Sequence, residues 1–244
     1  MDVLTAMALV FASTFVPLIV GSFIGVLLGG SIGKGIVAAI GVGILTWLFV
    51  DLMSDAVDLD VAQGFGGGLT QAALVLCFIV AFVALVYLDK GFLNPGGLSF
   101  MVAILAAISL GLHSGGEAMD IGDGLAMTGV GSLLGAETIA FVTHKAIEGF
   151  MLSAFLVAGT SKPSLKDAVL LSGIVGVMAA VATPFGYFAI IPSTYLLAAA
   201  SGGDIYMLLR LTPQAMGAGD RTKLAVAFCV GFLMIYFAAL LHTG

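Results

Sequence analysis

Charge is what this sequence has least of. Of 244 residues, 8 are Lys or Arg and 14 are Asp or Glu, 9% in all, while 61% are hydrophobic. That is too little polar surface to clothe a water-soluble domain of this length, and that class is excluded. Cysteine is scarce as well. Cys77 and Cys229 fall inside apolar runs, where they read as small packing residues and argue against a disulfide. Alternating polar and apolar segments of the membrane β-barrel kind are missing, which leaves helices as the spanning structure. The chain opens Met-Asp with no basic residue, unlike a secretory signal peptide, so the first apolar run is expected to be a span. The net charge of −6 speaks against a nucleic-acid partner.

What the sequence does have is apolar runs of membrane-spanning length, about 20 residues each. Eight spans are expected, roughly 4–28, 36–57, 68–88, 98–121, 132–159, 167–190, 193–212 and 223–242. Little chain remains between them, so residues 1–244 form a single transmembrane domain with no soluble appendage. Lys34, Lys90, Lys162, Lys166, Arg221 and Lys223 fall in alternate loops, and the opposite loops hold Asp58, Asp60 and Asp123 but no base. The positive-inside rule makes the basic loops cytoplasmic, and an even span count puts both termini outside. Lys145 and Arg210 break this pattern. Each falls within a span and needs a partner or water.

Two short patterns carry chemistry. His113-Ser114-Gly115-Gly116-Glu117 lies in the fourth span and His144-Lys145-Ala146-Ile147-Glu148 in the fifth. In each, His and Glu are four residues apart and share a helix face. Two imidazoles and two carboxylates are ligands that suit a borderline divalent metal. Ionisable side chains inside a bilayer are costly and mark function. A lone buried His is more often a packing residue, but two antiparallel neighbours with the same pair point to a metal site. The remaining His242, near the chain end, reads as incidental, and Met119 and Met127 as packing rather than soft ligands.

Other ionisable groups cluster around this pair. Asp120 and Glu137 lie seven residues from His113 and His144 respectively, toward the outer end, where they would form an acidic funnel or ordinary helix-end carboxylates. Asp51 and Asp55 stack one turn apart on span two, and Asp51 would line the path or neutralise Arg210 or Lys145. Ser114 would add a weak ligand or bond back to its own helix. The Lys145 ammonium would repel a second divalent ion and so argues for one metal, and it would also be able to pair with a carboxylate that empties during transport. Arg210 would either snorkel to the cytoplasmic surface or line an inner gate. The stretch 43–56 also aligns without gaps on 202–215, setting Asp51 against Arg210 and Asp55 against Gln214. Spans two and seven run oppositely, so this suggests an inverted repeat of the kind found in secondary transporters.

With these residues in place, the chain resembles the ZIP (Zrt/Irt-like) family of divalent metal transporters. That family carries a His-[Ser/Asn]-x-x-[Glu/Asp] motif in its fourth span and a His-[Glu/Lys]-x-x-Glu motif in its fifth. The two motifs here are similar in pattern and spacing. The ends of spans two and seven, Leu52-Met53-Ser54-Asp55-Ala56 and Leu211-Thr212-Pro213-Gln214-Ala215, resemble the family's Leu-x-Pro-Glu-Ala stretch. The resemblance implies metal ligation by His113, Glu117, His144 and Glu148, and a bundle that moves against a scaffold containing spans two and seven. It also marks departures. Lys145 and Thr183 stand where two-metal members hold carboxylates, and the loop from about Asp89 to Gly97 is too short for a His-rich sensing segment.

The expectation is therefore an all-α, multi-pass protein of the cytoplasmic membrane that imports a divalent metal ion, zinc foremost, with iron, manganese or cadmium as alternatives. It is not expected to be an enzyme. Its partners would be the metal, the lipid bilayer and a second copy of the chain. Two other readings use the same residues: an intramembrane metal-dependent hydrolase, and a proton-coupled carrier or channel. Against the hydrolase stand the lack of His-Glu-x-x-His and of a third histidine within a span.

Overall fold

The computed structural model describes residues 1–62, 69–94, 97–129, 136–160, 162–217 and 219–240, without the side chains of 55–62, 69 and 136–138. The expectations for the Asp55 and Glu137 side chains and for His242 lie outside the described residues. Among those described there are eight helices and no strand: α1 (Val3–Ile32), α2 (Lys34–Ala62), α3 (Leu69–Leu88), α4 (Phe100–Thr128), α5 (Ala136–Gly159), α6 (Leu165–Tyr187), α7 (Thr194–Met216) and α8 (Arg221–Leu240).

The helix ends follow local chemistry. Asp2 caps α1, its carboxylate accepting from the Thr5 amide at 2.9 Å, and a reciprocal Ser164–Asp167 capping box starts α6. The fourth helix runs seven residues past the expected span end at 121, because Asp120 and Asp123 do not stop a helix. It terminates at Gly129, whose φ of 66° an L side chain rarely adopts. The sixth helix stops at Tyr187, short of 190, where the chain turns through Ala189 at φ 49°.

Seven of the eight helices are long and apolar enough to cross a membrane, the architecture of a multi-pass membrane protein. The exception is α7. Its 23 residues would reach about 34 Å, enough to span. However, it carries Ser201, Asp204, Arg210 and Thr212, and its composition is too polar to qualify. Packing accounts for this, since α7 is enclosed by α2, α3 and α4, and Ser201, Asp204 and Arg210 are buried. The molecule is polar within and apolar without: Val75, Leu76 and Val83 on α3 and Val226 on α8 are exposed, while His113, Lys145 and Glu148 are buried. That arrangement suits a hydrocarbon surround.

Close helix approach explains many of the 34 glycines. Three helix pairs use them reciprocally. A Cβ on Gly21 or Gly149 would run into the backbone oxygen of Ala146 or Leu18, joining α1 to α5. Gly122 and Gly186 do the same for α4 and α6, and Gly43 and Gly231 for α2 and α8. At Gly231 the added carbon would lie 2.0 Å from the Ile40 oxygen, whereas at Gly30 it would meet nothing within 4 Å. Gly231→Ala is therefore expected to lower stability by about 1–3 kcal/mol and Gly30→Ala to leave it nearly unchanged. Melting curves in detergent check this, and equal melting temperatures for the two variants would contradict the packing account.

Candidate metal centre

The two motifs meet where α4 and α5 face each other. On α4 the four-residue spacing turns His113 and Glu117 inward together, and Gly116 between them admits α7, since a Cβ there would lie 2.4 Å from a Leu197 methyl. On α5 the same spacing turns His144 and Glu148 inward. His113 is 2% exposed, His144 5% and Glu148 0%.

One ligand atom from each of His113, Glu117, His144 and Glu148 can be chosen so that all four lie within 4.8 Å of one another. The Glu148 Oε1 atom is the hub, 3.3 Å from His113 Nε2 and 3.1 Å from His144 Nε2. Glu117 Oε1 lies 3.5 Å from His113 Nε2. Tetrahedral zinc with bonds of about 2.0–2.1 Å sets ligands about 3.3 Å apart. Three of the ligand separations thus already match a metal-centred tetrahedron. The cluster is compatible with metal binding on both geometry and donor chemistry.

Lys145 enters this site more intimately than a neighbouring repulsive charge. Its buried ammonium donates to both oxygens of Glu148, each at 2.8 Å, and to Ser114 Oγ at 2.9 Å. It also bonds Glu117 Oε2 and lies over the Phe141 ring. Glu117 turns its Oε1 to His113 and its Oε2 to the ammonium, whereas Glu148 Oε1 is shared between both histidines and the ammonium. With neutral imidazoles the group carries two negative charges and one positive. Ser114 is oriented by Lys145 rather than presented to the histidines.

A cavity of about 530 Å³ reaches this cluster from one end of the bundle and is lined by Trp47, Asp51, Glu117, Asp120, His144 and Tyr236 among others. Asp51 and Asp120 therefore line this cavity, and among the described residues Asp51 makes no ion pair with Arg210 or Lys145. Met119 packs in an apolar cluster and Met127 is exposed, away from the site, as expected. Thr183 is buried, with its hydroxyl bonded back to the Ala179 oxygen at 3.0 Å.

The structure corrects the snorkelling expectation for Arg210. The side chain is 1% exposed and folds under the segment that follows α3. Its Nε lies 2.8 Å from Asp89 Oδ2, and it donates to the backbone oxygens of Asn94 at 3.2 Å and Gly97 at 3.0 Å. Tyr206 OH also donates to Asp89, at 3.1 Å. A buried ion pair thus ties α7 to the segment after α3 at this end of the bundle.

Sequence reasoning missed two carboxylates. Asp89 reads as a loop acid, and only the return of the chain over α7 reveals its partner. Asp204 had a legible signal that went unused, a carboxylate within an expected span. It is 0% exposed, and among the described residues neither of its oxygens has a hydrogen-bond partner.

The fold and site together define a multi-pass helical membrane protein with a buried His/Glu cluster compatible with metal binding. No protein-family model matches the chain, and no curated protein matches it.

Proposed function

We infer that this protein is a ZIP-like carrier that moves a divalent transition-metal ion, zinc foremost, across the cytoplasmic membrane toward the cytoplasm. The observation that carries this reading is the position of the four-ligand cluster. It lies at the foot of an acidic cavity, and on the far side Arg210 and Asp89 form a buried ion pair that we read as a closed gate. One open side and one closed side is the form of an alternating-access carrier. The basic loops orient it: the Asp51–Asp120 mouth faces outside, as do both termini, and the Asp89–Arg210 seal faces the cytoplasm. No covalent chemistry is assigned to the site, and the chain is read as a transporter rather than an enzyme.

In this reading Asp51 and Asp120 concentrate cations at the mouth. The ion takes His113, His144 and the Oε1 oxygens of the two glutamates, while Lys145 keeps the Oε2 oxygens. Formal charge at the site then changes from −1 to +1. A full complement of carboxylates without the ammonium would hold the ion more tightly. Lys145 thus lowers affinity to a level from which release is feasible, and it takes the place of a second metal. One ion per chain is the expected capacity. Opposed spans two and seven would supply the scaffold, and a second copy of the chain a dimer partner.

The deciding experiment is zinc uptake into proteoliposomes containing the purified chain, with empty vesicles as control. Metal-dependent uptake that saturates is expected, and its absence from well-folded protein would end the carrier reading. Binding should also weaken with acid. An imidazole must be neutral to ligate, so protons compete with the metal for its nitrogen, and affinity measured by calorimetry should fall as the pH is lowered. A flat profile would remove the histidines from the ligand set.

A further inference from the structure

The Asp204 carboxylate is used by none of the interactions described above, yet it stands next in line behind the cluster. Helices α4 and α7 run antiparallel, and their contacts order the bundle along its axis. Leu197 meets Gly116, Gly203 meets Ser109, and Arg210 reaches the oxygens of Asn94 and Gly97. Asp204, beside Gly203, therefore sits at the level of Ser109, one turn beyond His113 and on the side away from the acidic cavity. Ser109 Oγ is fully buried and, like both Asp204 oxygens, has no hydrogen-bond partner among the described residues.

Buried polar groups in folded proteins are ordinarily satisfied, and an unpartnered carboxylate in a membrane interior is among the most costly to keep. A carboxylate and a hydroxyl without partners among the described residues, at one level between the metal ligands and the end tied by Asp89 and Arg210, are oxygen donors that a passing cation could use. We propose that Asp204, assisted by Ser109, is a second and transient cation site, which receives the divalent transition-metal ion as it leaves His113 and Glu148 on its way to the end closed by Asp89 and Arg210. This deepens the carrier reading and rests on it. Hard oxygen donors with few partners bind such an ion weakly, as a relay requires, whereas the mixed nitrogen and oxygen cluster holds it first.

Two variants test the proposal on the full-length chain. Asp204→Asn removes the charge but keeps the shape. Zinc affinity by calorimetry should stay within about threefold of the parent, the melting temperature should hold or rise because an unpartnered buried charge is gone, and initial zinc uptake should fall tenfold or more. Uptake within twofold of the parent overturns the relay. So does a parallel tenfold loss of zinc affinity, or a drop in melting temperature that accounts for the lost uptake. The second variant, Asp204→Cys with Cys77→Ala and Cys229→Ala, reads binding without transport. Cadmium added beyond one equivalent should produce thiolate-to-cadmium charge-transfer absorption. If no band develops, cadmium does not reach this position and the proposal falls. If the parent chain shows no uptake at all, the carrier reading fails separately, and the cadmium band still decides whether Asp204 faces a cation site.

Discussion

Replacing His144 and Glu148 together by alanine should abolish metal uptake while leaving a folded, monodisperse protein in detergent. Glu148 Oε1 is the atom closest to both imidazoles, at 3.3 and 3.1 Å, so its loss takes away the hub of the cluster. Loss of His144 takes one of only two imidazoles. What remains, His113 and Glu117, offers two ligands on a single helix, too few to strip water from a divalent ion. Metal affinity should therefore fall by at least about 100-fold, which corresponds to about 2.7 kcal/mol at roughly 1.4 kcal/mol per decade. The fold should survive because the double variant leaves Lys145 bonded to Glu117. A well-expressed double variant with normal uptake would sink the assignment of these residues as ligands.

Lys145→Met should couple the stability of the protein to metal. In the parent, the ammonium is, among the described residues, the only formal positive charge that contacts the two glutamates when the imidazoles are neutral. Methionine fills a similar volume and returns no charge, leaving two facing carboxylates in the bundle interior. Removing one partner from a buried ion pair costs about 3–5 kcal/mol. The metal-free variant should therefore melt at a markedly lower temperature than the parent. Zinc would restore the missing positive charge, so the zinc-induced rise in melting temperature should be larger in the variant, and its zinc affinity higher. Release should slow in consequence, giving lower uptake at saturating metal. If zinc stabilises parent and variant equally, the ammonium does not share the carboxylates with the metal.

The two variants separate the parts that the site plays. One removes ligands and should affect binding far more than stability. The other removes a counter-charge and should affect stability in a metal-dependent way. A site held together only by packing would give neither signature.

Composition by itself determined the class of this protein. With 9% charged and 61% hydrophobic residues, the chain can satisfy its backbone in lipid only as helices, and eight of them follow from the run lengths. The metal-ligand candidates were equally legible, because a His and a Glu four apart within a span share one face wherever the helix goes. Periodicity of this kind is local, and local patterns survive without knowledge of the fold. What tertiary structure alone decided was pairing. Lys145 looked like a repulsive neighbour from its place in the chain, but the approach of α4 to α5 brings its ammonium onto both glutamates and Ser114. Arg210 looked free to reach water, but the return of the chain after α3 brings Asp89 to its Nε and buries the pair. The seventh helix lies where a span was expected, but it is too polar to count as one by hydropathy, because its surroundings are three other helices rather than lipid. In each case the deciding quantity is the distance between groups far apart in sequence. Charges act through space, so which charge meets which is settled only when the helices pack.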